Sequence, residues 1–193
     1  MAFMTLSPST KFGTYEIHSL IGAGGMGEVY RARDCVLKRD VALKVLPAAF
    51  AQDHERMSRF QREAELLASL NHPNIASVYG LVECDGQRAL VMELVPGKTL
   101  DASLKREAMP LSEALHIAQQ IAEALEAAHE KGVVHRDIKP GNVMITPTGL
   151  VKVLNFGLAS IVQSSPTSHI PGDSPTFSLD ATQPRSSPTR RLT

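Results

Sequence analysis

Between Ile21 and Val29 the chain carries Gly22-Ala23-Gly24-Gly25-Met26-Gly27, a Gly-x-Gly-x-x-Gly spacing. Backbone without Cβ atoms can lie close to an anion and turn its N–H groups on phosphate oxygens. Three arrangements use such a run. A P-loop would close on Gly-Lys-Ser/Thr, whereas Gly27 is followed by Glu28 and Val29. A dinucleotide fingerprint would open a helix at its last glycine. Here β-branched and aromatic residues follow in alternation, so the run reads as a glycine turn between two strands. A Gly-rich hairpin with no ligand is the plainer reading of this stretch taken alone. Lys44 lies inside the apolar run 41–46. There it either snorkels to solvent or needs a countercharge, because an unpaired buried ammonium is costly. Phosphate oxygens on one side and a helix carboxylate on the other would satisfy it. Residues 53–70 offer Glu55, Glu63 and Glu65. Glu63 shares the face of Phe60, Leu67 and Leu70, while Glu65 points roughly opposite. Glu63 is therefore the expected partner of Lys44.

The elements that must position these groups follow from period and punctuation. Residues 1–14 are polar and loop-like. Alternation begins at Tyr15, breaks at the glycines and resumes through Val29, Arg31 and Arg33. The run 41–46 suits a buried strand that Pro47 stops. Residues 53–70 read as a helix, ended by Asn71-His72-Pro73 because the residue before proline avoids the α region. Residues 75–83 and 88–94 read as strands around Asp85-Gly86. A five-stranded antiparallel layer with one main helix is thus expected before residue 95. The pattern then turns helical, with Ser112 as N-cap, a stripe at Ala114, Ile117, Ile121, Leu125 and Ala128, and a stop at Lys131-Gly132. Residues 143–145 and 150–154 form a short hairpin around Pro147-Thr148-Gly149. From Ser160 onward Ser, Thr and Pro dominate, and such a tail, 160–193, buries too little to order itself.

Composition removes several classes of function. Lys+Arg and Asp+Glu balance at 20 each in 193 residues, so no net field draws the chain to nucleic acid or acidic membrane. No apolar run approaches the ~20 residues of a membrane span. The start lacks the basic and apolar regions of a signal peptide. Cys35 and Cys84 are far apart without metal-ligand spacing, which reads as free thiols in a reducing compartment. A cytoplasmic location is expected.

The sharpest motif lies further on. His135-Arg136-Asp137-Ile138-Lys139-Pro140-Gly141-Asn142 resembles the catalytic loop of protein kinases, His-Arg-Asp-x-x-x-x-Asn, in its serine/threonine form. Val41-Ala42-Leu43-Lys44 resembles the lysine strand of that family, and the glycine run resembles its bacterial members. The likeness covers residues 15–159. It implies an α+β kinase-like fold, with an N-lobe over 15–94 and the start of a helical C-lobe over 95–159. It also implies ATP and Mg²⁺ as cofactors. On that resemblance Asp137 would accept the substrate hydroxyl's proton, Lys139 would neutralise the transferring phosphoryl group, and Asn142 would bind Mg²⁺. Arg136 would meet an activation-loop phosphate, and His135 would only pack locally. Residues 21–29 and Ala42 would cover the nucleotide, with Ile21 and Val29 over the adenine. Met92 would guard the back of the slot, the backbone of Glu93 and Val95 would bond the adenine, and Met144 would form the floor. Met92 and Met144 read equally well as core filler.

The chain departs from the pattern at two places. Asn155-Phe156-Gly157 stands where the family has Asp-Phe-Gly, so the metal site loses its anionic oxygen. A unit-charge contact at 4 Å is worth about 4 kcal/mol at an effective dielectric of 20, which predicts about three decades off phosphoryl transfer. No Ala-Pro-Glu-like anchor or further helices follow Ala159, so the C-lobe is expected to be incomplete and the product truncated. The expected function is phosphoryl transfer from ATP to protein Ser/Thr, impaired here. Its rivals are a pseudokinase module that binds nucleotide or a partner, such as an intact kinase, and a truncated fragment with no function.

Overall fold

The structure is a computed structural model that describes residues 6–24, 27–47, 54–105 and 108–156. The expected tail and Gly157 lie outside the described residues.

The N-terminal half is built on β1 (Lys11–Phe12), β2 (Tyr15–Gly24), β3 (Gly27–Asp34), β4 (Arg39–Val45), α1 (His54–Ala68), β5 (Val78–Cys84) and β6 (Gln87–Glu93). Its strands form one sheet in the order β1-β2-β3-β4-β6-β5, every pairing antiparallel. The strands expected from the alternation are present. A sixth, β1, comes from the segment read as a loop. Lys11 pairs with Glu16 and Phe12 with Tyr15, and Phe12 is buried. Two residues cannot display a period, so this edge was invisible to pattern. Between β5 and β6, Asp85 and Gly86 have φ of 50° and 73°, the left-handed pair that a tight two-residue hairpin requires.

Pleat parity sorts β4 into two faces. Val41, Leu43 and Val45 join Ile17, Tyr30 and Val91 in a core on one side of the sheet. Ala42 and Lys44 therefore face the other side, toward α1 and the second half of the chain. Helix α1 buries Met57, Phe60, Ala64 and Leu67, spaced by three or four, against Ile75, Leu90 and Phe156. It ends at Ala68, two residues earlier than expected, where the Ser69 hydroxyl donates to the Leu66 carbonyl at 2.6 Å.

The second half contains β7 (Lys98–Thr99), α2 (Leu100–Leu104), α3 (Leu111–Glu130), a 3-10 turn (Pro140–Asn142), β8 (Val143–Ile145) and β9 (Val151–Val153). The last three strands form a sheet in the order β7-β8-β9. Helix α3 starts at Leu111 with Pro110 as its N-cap, so Ser112 sits inside the first turn and caps nothing. Proline's fixed φ and extended ψ place the boundary two residues earlier than the serine suggested. At the other end Gly132, at φ 73°, closes the helix by donating to the His129 carbonyl. The deeply buried positions of α3 are Ile117, Gln120, Ala124 and Ala128, while Ile121 and Leu125 are only partly covered. The expected α+β architecture, an antiparallel N-lobe sheet with one main helix and an incomplete helical C-lobe, is the architecture of the described residues.

Candidate active site

A cavity of about 480 Å³ separates the two halves. That is large enough for a nucleoside and small enough to hold it on both faces. Ile21, Gly22 and Val29 form its roof, Ala42 and Met92 its back, Glu93 and Val95 its linking edge, and Met144 its floor, with Asn155 also in the lining. Sequence reasoning did not place Leu154, Phe156, Gly141, Leu67 of α1 or Leu70 just past its end in the slot, and all of them line it too. They come from three separate stretches that meet only through packing.

The roof is the β2–β3 hairpin, in register Gly22↔Val29, Ala23↔Glu28 and Gly24↔Gly27. Gly25 and Met26, also expected at the nucleotide, lie outside the described residues. The glycines have distinct duties. Gly27 has φ 110°, and a Cβ there would stand 2.0 Å from the Val45 carbonyl oxygen, so this glycine lets β3 touch β4. At Gly22 and Gly24 an added Cβ would meet nothing within 4 Å. Among the described residues their bareness serves no packing and leaves open space where a side chain would stand. The Glu28 carboxylate accepts from the Tyr30 hydroxyl, which in turn accepts from the Leu6 N–H. Burial, with Glu28 beside it, pushes that phenol up to about 12.

Lys44 is 5 % exposed, and among the described residues no carboxylate lies within ion-pair distance of it. Desolvation pushes it down to about 8, against the pull of the Asp137 carboxylate. The expected Lys44–Glu63 pair is not formed. Glu63 faces Arg136 instead, at 3.5 Å. Its Oε1 takes that contact, and its Oε2 is buried with no hydrogen-bond partner among the described residues. Burial raises the Glu63 pKa, with Arg136 opposing. Face periodicity placed Glu63 on the inward side of α1 correctly. It could not say which cation the turn of the helix would present, and Arg136 is drawn from a loop more than seventy positions away.

The loop after α3 holds Asp137, Lys139 and Asn142 together. The Lys139 ammonium stands 2.7 Å from Asp137 Oδ2. Asn142 Nδ2 donates to the Asp137 carbonyl at 2.8 Å and to Oδ2 at 3.1 Å. Lys139 first, then Asn142, hold the Asp137 carboxyl below its ordinary range. His135 is 2 % exposed, with its ring 4.6 Å from that of Phe156. Its Nδ1 accepts from the Asp137 N–H at 3.3 Å, so Nε2 carries the proton and donates to the Leu154 carbonyl at 2.8 Å. Burial lowers its pKa, in keeping with a neutral ring that props the loop.

Asn155 completes the group. Its Nδ2 donates to Asn142 Oδ1 at 3.1 Å. The orientation is forced, because Asn142 Nδ2 is committed to Asp137 and only its oxygen can face Asn155. The side-chain oxygen expected to coordinate Mg²⁺ is therefore engaged by an amide. Among the described residues the carboxylate nearby is Asp137, and it is engaged by Lys139. Among the described residues no cluster of three or more His, Cys, Asp or Glu is arranged to hold a metal. This donor set does not fit a hard dication, which takes anionic and free carbonyl oxygens. The residues do fit a nucleotide: an apolar slot, bare glycines with open space beside them, and a desolvated lysine with no carboxylate within ion-pair distance among the described residues.

Comparison with known proteins decides the family. The protein kinase domain model matches residues 15–178. This chain belongs to the protein kinase domain family. It is 48% identical over 163 residues to serine/threonine-protein kinase PknA of Mycobacterium tuberculosis, covering 81% of this chain and 38% of that protein. It is 45% identical over 159 residues to serine/threonine-protein kinase PrkC of Bacillus subtilis, covering 81% and 24%. The crystal structure of the M. tuberculosis PknI kinase domain superposes with a TM-score of 0.71 at 37% identity, over 81% of this chain and 63% of that one. The chain thus spans well under half the length of these curated relatives. Cys35 and Cys84 are both free thiols, and among the described residues no helix is long and apolar enough to cross a membrane.

Proposed function

We propose that this chain is a serine/threonine-type protein kinase domain that holds an adenine nucleotide between its lobes and transfers phosphate poorly. The relatives' names supply the acceptor class, protein Ser and Thr hydroxyls. Ile21 and Val29 would cover the base, Met144 would underlie it, and the backbone at Glu93 and Val95 would bond its edge. Lys44 would meet the phosphates, whose charge replaces the absent carboxylate. Asp137 would orient the acceptor hydroxyl and take its proton. Held ionised by Lys139, it is a weak base whose contribution is mainly alignment. Lys139 would meet charge on the transferring group.

The observation that carries the impairment is the amide-to-amide bond from Asn155 to Asn142. The family supplies electrostatic stabilisation there through Mg²⁺, and the residues present close that position on themselves. The test is a thermal-shift titration with ADP, with and without Mg²⁺, followed by a radiolabel transfer assay on a generic protein acceptor. We expect ADP to raise Tm and Mg²⁺ to add little to the rise. No shift in either condition refutes the nucleotide reading, and brisk metal-dependent transfer refutes the impairment.

A further inference from the structure

The side chain of Glu93 has a task separate from its backbone. Its Oε2 accepts from the Lys152 ammonium at 2.9 Å and from the Ser77 N–H at 3.1 Å. The same ammonium donates to the Ile75 carbonyl at 3.3 Å. The Glu93 N–H donates to the Ser77 carbonyl at 2.8 Å. The Lys152 and Glu93 side chains are only 13% and 22% exposed, whereas every other ion pair among the described residues has at least one partner 39% or more exposed. Such a pair is no surface ornament, because removing one partner strands the other charge out of water.

The bridge continues in both directions. Lys152 is the central residue of β9, which runs directly into Leu154 and Asn155 in the cavity lining. The loop 74–77 is bound to the same strand: Ala76 N–H donates to the Val153 carbonyl at 3.0 Å, and Val153 N–H to the Asn74 carbonyl at 2.8 Å. Asn74 Nδ2 donates to Gln120 Oε1 at 2.8 Å and to the Val151 carbonyl at 2.9 Å. Gln120, buried on α3, also accepts from Val151 N–H at 2.8 Å. An unbroken polar path therefore joins the end of β6 to β9 and α3. It crosses from one lobe to the other beside the segment that would bond the adenine.

We propose that Lys152 is a positioning residue for nucleotide binding. By gripping the Glu93 carboxylate it sets the 93–95 backbone at a fixed distance from the cavity floor. The inference rests on the nucleotide reading for its functional consequence, and its structural content can be read without nucleotide. The experiment compares wild type, Lys152→Met, Lys152→Arg, Glu93→Gln and the double variant Lys152→Met/Glu93→Gln. Two readouts are taken: hydrogen exchange of the amides of residues 91–95 in the free protein, and ADP affinity by calorimetry.

Lys152→Met should speed exchange of those amides about tenfold and weaken ADP about tenfold. Lys152→Arg should restore both to within about threefold, since a guanidinium keeps the charge. The double variant should be no worse than either single one, the mark of a coupled pair. Unchanged hinge exchange and affinity in Lys152→Met overturn the proposal. So does an affinity loss that Arg does not rescue and that follows Tm alone across the set. If wild type binds no ADP, the nucleotide reading falls, and the exchange data still decide whether Lys152 positions the hinge. Should Lys152→Met fail to fold, Glu93→Gln and Lys152→Arg carry the same comparison.

Discussion

Replacing Asn155 by Asp isolates the interaction on which the impaired-site reading turns. In the native chain the Asn155 amide donates to Asn142 Oδ1 at 3.1 Å. An aspartate there has no proton to give and sets a carboxylate oxygen against the Asn142 oxygen. Asn142 cannot turn away, because its amide is held at two points on Asp137. The backbone allows the exchange: residue 155 sits at φ 59°, a region that Asn and Asp both tolerate. Losing the bond and opposing two acceptors should cost about 1–3 kcal/mol in the free protein. That lowers Tm by roughly 2–12 °C.

A dication between the two oxygens reverses the sign. A unit pair at 4 Å gives about 4 kcal/mol at a dielectric of 20. Doubling for the dication and discounting by more than half for partial exposure leaves about 3 kcal/mol, roughly a hundredfold in affinity. The assay is calorimetric titration of ADP with and without saturating Mg²⁺ on both proteins. Wild type should show a metal ratio within about threefold of unity, and Asn155→Asp a ratio near a hundred. Equal ratios in the two proteins refute the reasoning. So would a wild type that already gains a hundredfold from the metal.

Further outcomes follow from the same site. Lys44, pushed to about 8, is half neutral near that pH. A phosphate beside it favours the charged form, so ADP binding near pH 8 should take up about half a proton, and near pH 6 almost none. Calorimetry in buffers of different ionisation enthalpy reads this. Because the lowered folded value lies below the unfolded one, the stability cost of Lys44 is full below about pH 8. It is relieved as pH rises toward 10.5, and Lys44→Met should abolish that rise in urea-unfolding curves. Gly27→Ala should cost about 3 kcal/mol or more by forcing a Cβ against the Val45 carbonyl. Gly24→Ala should leave Tm within about 2 °C and weaken ADP far more than adenosine. Equal losses for the two ligands would place the phosphates elsewhere. For Glu63, whose folded pKa is raised, stability should fall as pH climbs above the ordinary 4.5 and level off past the raised value. Glu63→Gln should flatten that limb of the chemical-denaturation profile.

Several features of this protein were fixed by local residue chemistry. The alternation from Tyr15, the Asp85-Gly86 turn and the three-four spacing of Phe60, Ala64 and Leu67 each specify an element through its own period, and each element formed. The run from His135 to Asn142 held Asp137, Lys139 and Asn142 in contact because a short loop leaves them little choice. The amide at position 155 was visible as a letter, and its loss of charge followed at once.

What sequence left open were choices between partners distant along the chain. Face and charge assigned Glu63 to Lys44, and the turn of α1 on the core gave it Arg136 instead. Gln120 and Lys152 look like ordinary polar residues of a helix and a strand. Only packing buried them and turned them on Asn74 and Glu93. Asn155 could have offered its oxygen to a metal, yet the two bonds from Asn142 to Asp137 oblige it to present its amide hydrogens. Period and motif determine which face a side chain takes. Which of several compatible groups lies opposite depends on how the lobes close, and that is a property of the assembled fold.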